Sequence, residues 1–226
     1  MESKLTAVLV SGGLDSTILL GDLLRHGQQV QPLYVRFQLI WEPAELAMLQ
    51  QFLQRLACPQ LRPLVVLDLP LTDLYGSHWS IDGQQTPGAN SPDEAVYLPG
   101  RNALLLLKAG LWCQLNGLTR IALGPLATSP FADARADFFR QVENLLETYA
   151  PRLEILVPFL GLKKQAVMRL GRGLPLEWTF SCLAPVDGRH CGCCNKCAER
   201  RQAFQEAETP DPTRYALGGE GSGGEW

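Results

Sequence analysis

The stretch of sequence that decides the fold is AVLVSGGLDSTILLGDLLRHG, residues 7–27. Its first four residues, Ala7 to Val10, form a short apolar run that ends at a serine and a glycine pair, which predicts a buried strand. After Ser16, apolar residues recur at helical spacing, at Ile18, Leu19, Leu23 and Leu24. A strand, a glycine-rich turn and a helix N-terminus in this order form an anion site, because free backbone N–H groups and the positive end of the helix dipole meet there.

The turn from Ser11 to Ser16 differs from two common phosphate-binding loops. A Walker loop needs a lysine that reaches the terminal phosphates, and no lysine lies between Lys4 and Lys108. The GxGxxG fingerprint of dinucleotide-binding folds is also absent. A loop without the lysine suits a pyrophosphate that leaves the reaction. The alternative is a glycine turn capped by Ser11 or Ser16 that binds no ligand.

Strand-like and helix-like patterns alternate along most of the chain. The predicted strands are Ala7 to Val10, Gln29 to Phe37, Leu64 to Leu69, Thr119 to Leu123 and Leu153 to Val157. The predicted helices after the first are Pro43 to Leu56, Asn102 to Leu115 and Phe138 to Tyr149. This alternation predicts an α/β fold with a doubly wound parallel sheet. Because ligands bind beyond the carboxyl ends of such strands, we expect the glycine turn, the Arg36 region and the loop after Leu123 to share one crevice.

Three parts of the chain are predicted as separate units. Residues 1–175 form the nucleotide-binding domain, 176–207 a cysteine-rich segment that binds metal, and 208–226 a disordered tail of linker composition. Within the domain, residues 70–97 lose periodicity and are rich in Gly, Pro, Ser, Asn and Asp. A loop of this length in a compact domain is typically functional, so we interpret it as a lid.

Composition limits the class of protein. The chain has 226 residues, a net charge of −3, and 46% hydrophobic and 19% charged residues. The weak negative charge argues against a nucleic-acid partner, which usually needs a basic face. No apolar stretch of 18 residues is present, so no membrane-spanning helix is expected. The start, MESKLTAVLV, has no signal-peptide layout, and we expect a cytoplasmic protein.

The second strong signal is SCLAPVDGRHCGCCNKC, residues 181–197, in which four cysteines have the spacing C-x8-C-x2-C-x2-C. These are Cys182, Cys191, Cys194 and Cys197. In the cytoplasm such thiols bind metal or stay reduced rather than form disulfides, and four close thiolates suit a structural Zn²⁺ site. An iron–sulfur cluster is the main alternative, and an unliganded reduced cluster the next. Of the remaining polar and thiol groups, we expect His190 at the surface and Cys58 and Cys113 in the core.

The motif SGGLDS, residues 11–16, resembles the PP-loop of the N-type ATP pyrophosphatases. Together with LPGRN at 98–102 and the four cysteines, it makes residues 5–205 similar to the 7-cyano-7-deazaguanine synthase family. The resemblance implies an adenine nucleotide alpha hydrolase-like fold and an ATP-dependent C–N ligase of queuosine biosynthesis. Its substrates would be 7-carboxy-7-deazaguanine, ammonia and ATP, its product 7-cyano-7-deazaguanine (preQ0), its metal ions Mg²⁺ and Zn²⁺, and its assembly a homodimer.

The resemblance also implies a set of site residues. The nucleotide would contact Val10, Ser11, Gly12, Gly13, Leu14, Asp15, Ser16, Thr17, Gly100 and Asn102. Arg101 suits a phosphate or the substrate carboxylate, since its guanidinium binds such anions through two hydrogen bonds; the alternative is a surface ion pair. Asp15 is a candidate Mg²⁺ contact or a helix N-cap. Lys164 matches a family lysine expected near the nucleotide, or is a solvated helix charge.

Two segments depart from the family pattern. Residues 34–38, YVRFQ, keep a tyrosine but lack a histidine, and in residues 124–135 Asp133 and Arg135 remain while Ala134 replaces a cysteine. These departures leave open a paralogue that couples the activated carboxylate to another amine, giving an amide or a protein conjugate. A sulfur-inserting tRNA enzyme and a nucleotide-binding regulatory module are further alternatives.

Overall fold

A computed structural model describes residues 5–150 and 152–216 of the chain. The strands are β1 (Leu5–Leu9), β2 (Gln29–Arg36), β3 (Val65–Asp68), β4 (Arg120–Ala122) and β5 (Glu154–Leu156). The helices are α1 (Leu14–Arg25), α2 (Glu42–Arg55), α3 (Thr72–Tyr75), α4 (Trp79–Asp82), α5 (Arg101–Leu115), α6 (Ala136–Glu147), α7 (Lys164–Leu170) and α8 (Asn195–Glu206). Short 3-10 turns occupy Asp93–Val96, Ala132–Ala134 and Leu176–Trp178.

The five strands form one parallel sheet in the order β3-β2-β1-β4-β5. The central strand β1 pairs with β2 from Leu5 opposite Gln29, and with β4 at Ala7 opposite Ile121. The chain therefore builds one side of the sheet with β2 and β3 and then returns to the other side with β4 and β5. This is the predicted doubly wound arrangement, and its order reverses beside β1, where ligands bind in such sheets.

Helices cover both faces of the sheet because its side chains alternate between them. Ala7 and Leu9 of β1 belong to one hydrophobic core, which also contains the buried side of α5. Val8 belongs to the other core, together with the buried sides of α1 and α2. The four cysteines predicted to bind metal pack within the first core, so the cysteine-rich segment packs directly against the sheet domain.

The structure differs from the prediction in residues 70–97. This segment contains α3, α4 and the turn at Asp93–Val96 rather than a single irregular loop. Its middle pairs with the cysteine-rich segment: Gly88 forms a bridge with Cys194, and the Ala89 N–H donates to the Cys193 carbonyl at 2.9 Å. Gly88 and Ala89 are therefore paired with the cysteine-rich segment, and the lid hypothesis cannot include them.

The chain after α8 is ordered further than predicted. Residues 208–216 lie along the cysteine-rich segment, where the Ala216 N–H donates to the His190 carbonyl at 2.7 Å and the Tyr215 hydroxyl to Asp211 at 2.7 Å. Residues 208–216 are therefore ordered, although the sequence predicted a disordered tail. Residues 217–226 of that tail lie outside the described residues. None of the described helices is long and apolar enough to cross a membrane.

Candidate active site

The glycine loop, Ser11–Ser16, connects β1 to α1 and requires glycine at its second position. Gly12 has a φ of +74°, a backbone conformation that is strained in residues with a Cβ atom. A Cβ on Gly12 would also lie 3.1 Å from Cγ of Glu45. On its other side, the Phe180 N–H donates to the Gly12 carbonyl at 2.7 Å. The loop is therefore held between α2 and the segment that leads to the cysteines.

The N-terminus of α1 has no side-chain cap. Gly13 is the cap residue, and no side chain accepts a hydrogen bond there. The Ser16 hydroxyl instead accepts the Ser11 N–H at 3.1 Å and donates to the Gly13 carbonyl at 3.3 Å. The serines thus brace the turn, and the two alternatives in which a serine or Asp15 caps the helix are wrong. N–H groups at an uncapped helix start are available to an anionic ligand.

Asp15, in the first turn of α1, forms an ion pair with Lys164 at the start of α7. The Lys164 ammonium lies 2.8 Å from each carboxylate oxygen of Asp15. It also lies 3.5 Å from Oε1 of Glu199 on α8, whose Oε2 pairs with Lys196. The Lys164 side chain is 16% exposed, unlike the solvated charge that the sequence left open. Four alternating charges therefore join three helices beside the glycine loop.

The charge network keeps Lys164 and Glu199 ionised. Burial acts to lower the pKa of Lys164, but the negative charges of Asp15 and Glu199 outweigh it and raise the pKa above its ordinary value. For Glu199, burial acts to raise the pKa, and the charges of Lys196 and Lys164 outweigh it and lower the pKa. Lys164 is consequently a cation, and Glu199 an anion, at neutral pH.

The glycine loop lies between two adjoining cavities, each of about 300 Å³. The strand-end cavity is lined by the ends of β1, β2 and β4 through Leu9, Val35 and Leu123. The aromatic cavity is lined by rings that include Trp41, Trp79, Tyr97, Phe131 and Phe180. Both cavities contain residues of the glycine loop and of α5, so they form one crevice, as the sequence predicted. A volume of this order suits small ligands.

Arg36 does not line this crevice. It forms an ion pair with Asp68 in which both side chains are about half exposed. Its strand contributes Tyr34 and Val35 instead.

The residues at the start of α5 occupy the boundary between the two cavities. Arg101 and Asn102 line both. The Arg101 guanidinium has no hydrogen-bond or ion-pair partner among residues 5–150 and 152–216, so it is free to bind an anion. Asn102 donates to the Asp133 carbonyl at 3.0 Å. Gly100 is exposed, has a φ of +76°, and starts the helix without lining either cavity.

Most of the other predicted nucleotide contacts line the crevice. Ser11, Asp15 and Ser16 line both cavities, Gly13 and Leu14 line the aromatic cavity, and Val10 lines the strand-end cavity, whereas Gly12 lines neither. Thr17 is fully buried, and its hydroxyl donates to the Gly13 carbonyl at 2.8 Å. Its side chain therefore supports the glycine loop from below.

Sequence reasoning missed two buried carboxyl groups on α2. Glu42 accepts the N–H groups of Phe37 and Gln38 at 2.7 and 2.8 Å, which fixes the turn after β2. Glu45 accepts the Tyr34 hydroxyl at 2.8 Å and lines both cavities. Burial raises the pKa of Glu42, and raises the pKa of Glu45 to about 8. The position of Glu45 on the apolar side of the predicted helix Pro43 to Leu56 was the signal that could have identified it, whereas Glu42 lies one residue before that helix.

The four predicted metal ligands meet in one buried site. The sulfur atoms of Cys182, Cys191, Cys194 and Cys197 all lie within 4.8 Å of one another. The sulfur atoms of Cys191 and Cys197 lie 3.9 Å apart, and those of Cys182 and Cys194 lie 4.0 Å apart. Four sulfurs bound to one Zn²⁺ at about 2.3 Å in a tetrahedron lie about 3.8 Å apart. The geometry therefore fits a single tetrahedral ion, and leaves no room for the several metal and sulfide atoms of a cluster.

Backbone groups support the same site. The Cys191 N–H donates to the Cys182 sulfur at 3.1 Å, and the Leu183 N–H to the Cys194 sulfur at 3.5 Å. Such bonds stabilise thiolate ligands. Cys193, the additional thiol of the motif, is exposed. The donor set and its surroundings thus suit a closed structural site.

His190 is buried rather than at the surface as predicted. Its ring packs 4.5 Å from that of Phe180, and its Nε2 accepts the Ser181 N–H at 3.2 Å. Burial lowers its pKa to about 3. The prediction failed because residues 208–216, taken to be disordered, cover this side of the segment. Cys113 is in the core as expected, and Cys58 is only partly buried.

Comparison with known proteins assigns the chain to a family. Residues 6–208 match the family described as queuosine biosynthesis protein QueC. A 7-cyano-7-deazaguanine synthase from Anaeromyxobacter sp. (strain Fw109-5) is 34% identical over 94% of this chain and 97% of its own. A 7-cyano-7-deazaguanine synthase 1 from Desulfitobacterium hafniense (strain Y51) is 31% identical over 91% and 93%. Among solved structures, a 4-thiouridine synthetase in complex with RNA and ATP is 16% identical, with a TM-score of 0.45 over 91% of this chain and 50% of its own.

Proposed function

The chain belongs to the QueC family of queuosine biosynthesis proteins, and we propose from this premise that it makes 7-cyano-7-deazaguanine from 7-carboxy-7-deazaguanine, ammonia and ATP. The observation that carries the proposal is the crevice, in which an uncapped helix start and an unpartnered Arg101 meet between two cavities. Two substrates that must react with each other need two adjoining cavities. One holds the nucleotide and the other the base.

The reaction has to remove both oxygens from one carboxyl carbon. In the first half, a carboxylate oxygen attacks the α-phosphorus of ATP and pyrophosphate leaves. Ammonia then adds to the carboxyl carbon, AMP departs with that oxygen, and an amide and a proton result. In the second half, the amide oxygen attacks a second ATP in the same way. Loss of the amide protons and departure of AMP with the second oxygen give the nitrile.

The glycine loop and Arg101 are proposed to bind the reacting anions. Backbone N–H groups at the uncapped start of α1 would hold the phosphates, since they carry the positive end of the helix dipole there. Arg101 lines both cavities, so its guanidinium can contact the substrate carboxylate and the α-phosphate together. This placement would bring the attacking oxygen to the phosphorus and offset the charge that develops on it.

Lys164 and Asp15 are proposed to act at the phosphate end. Lys164 is held as a cation by two carboxylates and would stabilise the departing pyrophosphate. Asp15 is the proposed Mg²⁺ contact, since a carboxylate oxygen that accepts one hydrogen bond retains a lone pair for the ion. Magnesium in such sites binds one or two carboxylates and the substrate phosphates. When bound, it neutralises charge on the leaving group.

The four cysteines are proposed to bind Zn²⁺ as a structural ion. Cys197 belongs to α8, the helix that carries Lys196 and Glu199 to the crevice. A bound zinc ion supplies a cross-link rather than chemistry at the substrate, because all four positions are filled by sulfur. It would fix α8 against the glycine loop.

The competing proposals have less support. Coupling to another amine is not favoured, because the relatives named above are synthases of the nitrile. An iron–sulfur enzyme does not fit the sulfur spacing. A homodimer, a cytoplasmic location and the lack of a nucleic-acid partner, expected from the sequence, stay part of the proposal.

The test is to incubate the protein with 7-carboxy-7-deazaguanine, Mg-ATP and ammonium and to follow products by mass spectrometry. We expect the nitrile and about two AMP for each product molecule, one from each oxygen removed. Accumulation of the amide alone, or AMP release without a small-molecule product, would contradict the proposal. Arg101→Ala should lower the rate by at least 100-fold, whereas Arg140→Ala, an exposed matched control, should not.

A further inference from the structure

The aromatic cavity has a mixed lining. Its polar residues include the glycine loop, Lys164 and Lys196. Its aromatic residues include Tyr97 and Phe131, whose ring centroids lie 5.0 Å apart in a stacked arrangement. Aromatic side chains in a cavity lining can pack against a flat ligand. The polar and aromatic residues together suit a planar heterocycle that carries an anionic group.

Two polar atoms in this cavity lack a hydrogen-bond partner. These are Oδ1 of Asp133 and Oγ of Ser181, both buried and both without a partner among the described residues. A buried carboxylate oxygen without a hydrogen bond costs free energy. In functional sites such a group commonly binds a ligand that supplies the missing donors.

Asp133 is held in place by its backbone rather than by its side chain. It lies in the 3-10 turn Ala132–Ala134, and its carbonyl accepts the Asn102 side chain at 3.0 Å. Asn102 follows Arg101, the residue proposed to contact the substrate carboxylate. The carboxylate of Asp133 is therefore fixed relative to Arg101 but is left free to bind.

We propose that Asp133 recognises the edge of the substrate base that carries the ring N–H and the adjacent amino group. This inference rests on the proposed function, because it assumes that the aromatic cavity holds the deazaguanine ring. A carboxylate has two oxygens that can accept two neighbouring N–H donors. The guanine-type edge presents such a pair, whereas an adenine edge presents one donor beside an acceptor. Asp133 thus selects the deazaguanine over an adenine ring and over bases that lack the amino group.

The test measures binding without turnover. The full chain is titrated by calorimetry with 7-carboxy-7-deazaguanine and with the analogue that lacks the 2-amino group. The variants are Asp133→Asn and a control, Asp137→Asn, whose carboxylate is exposed and pairs with Arg140. We expect the wild type and the control to prefer the amino form by about 10- to 100-fold, since a hydrogen bond to a charged group is lost in the analogue.

In Asp133→Asn, binding of the amino form should weaken by a similar factor, and the preference should fall below threefold. Thermal unfolding gives a second readout. Because the carboxylate has no partner in the described residues, the variant should be at least as stable as the wild type, which a residue with a merely structural role would not be. Asp133→Ser provides a second variant with the same expectation for selectivity.

An undiminished preference in both Asp133 variants would overturn the inference. If that result accompanies normal nitrile formation by the wild type, the proposed function stands and only the role of Asp133 is wrong. If the wild type binds Mg-ATP but neither base, both the inference and the proposed function are wrong.

Discussion

Glu45 gives the most quantitative prediction, because its carboxyl group is buried beside the glycine loop and its pKa is raised to about 8. Between pH 5 and pH 8 the unfolded chain has released this proton while the folded chain retains it. The unfolded state then binds fewer protons, so the free energy of unfolding falls as pH rises. Each pH unit costs about 1.4 kcal/mol, which gives at most about 4 kcal/mol over this range.

Glu45→Gln removes the titrating group and keeps an oxygen that can accept the Tyr34 hydroxyl. We expect the variant to lose most of the decrease in stability between pH 5 and pH 8. For a chain of this size 1 kcal/mol corresponds to about 2–4 °C in melting temperature. The wild type should therefore lose about 8–16 °C more than the variant over this range.

The assay is thermal and urea unfolding at four pH values, followed by circular dichroism. Glu177→Gln, at an exposed position, is the matched control and should keep the slope of the wild type. Equal slopes for the wild type and Glu45→Gln would show that Glu45 is ionised in the folded protein at pH 7. The reasoning from its burial would then be refuted.

Four further predictions concern the charge network, the glycine loop and the cysteine site. Lys164→Met should lower the free energy of unfolding at pH 7 by about 2–3 kcal/mol, because it leaves Asp15 without its ion-pair partner. The control Lys163→Met, at the exposed neighbouring position, should cost under about 0.5 kcal/mol. Equal costs for the two variants in urea unfolding would contradict the proposed charge network. Because the pKa of Glu199 is lowered, its contribution to stability is present above about pH 4.5 and is lost below it; Lys164→Met should reduce this acid sensitivity. Gly12→Ala should lower the free energy of unfolding in urea by about 1–2 kcal/mol, because φ at this position is positive. The same variant should weaken ATP binding at least tenfold in calorimetry. The control Gly27→Ala has a similar φ but open space around it, and it should leave ATP binding unchanged. Elemental analysis should find about one zinc per chain and none in Cys197→Ser, while iron with sulfide in the wild type would be incompatible with the sulfur geometry.

Local sequence was sufficient to predict the doubly wound parallel sheet and the glycine loop. β1, the loop and α1 follow one another without interruption, so their periodicities and the glycine pair fix their geometry within about 20 residues. The four cysteines were equally predictable, because two of their three spacings are short and the ligand atoms must converge on one ion. In the glycine loop and the cysteine site, the deciding contacts are close in sequence.

The remaining features depend on contacts between distant segments. Lys164 and Asp15 are 149 residues apart, and no local pattern pairs them. His190 lies among polar residues and looked exposed, but residues 208–216 and Phe180 cover it. Asp133 was noted in the sequence, yet its unpartnered oxygen is visible only once the aromatic cavity is assembled. These positions were set by packing that the sequence pattern alone did not specify.

The central claim is that the glycine loop serves adenylation of the substrate carboxylate, and an oxygen label tests it most directly. 7-Carboxy-7-deazaguanine with ¹⁸O in both carboxyl oxygens is turned over with Mg-ATP and ammonium, and the nucleotide products are analysed by mass spectrometry. The account predicts that every AMP carries one ¹⁸O and that the pyrophosphate carries none. Label in inorganic phosphate, with ADP as the nucleotide product, would contradict it.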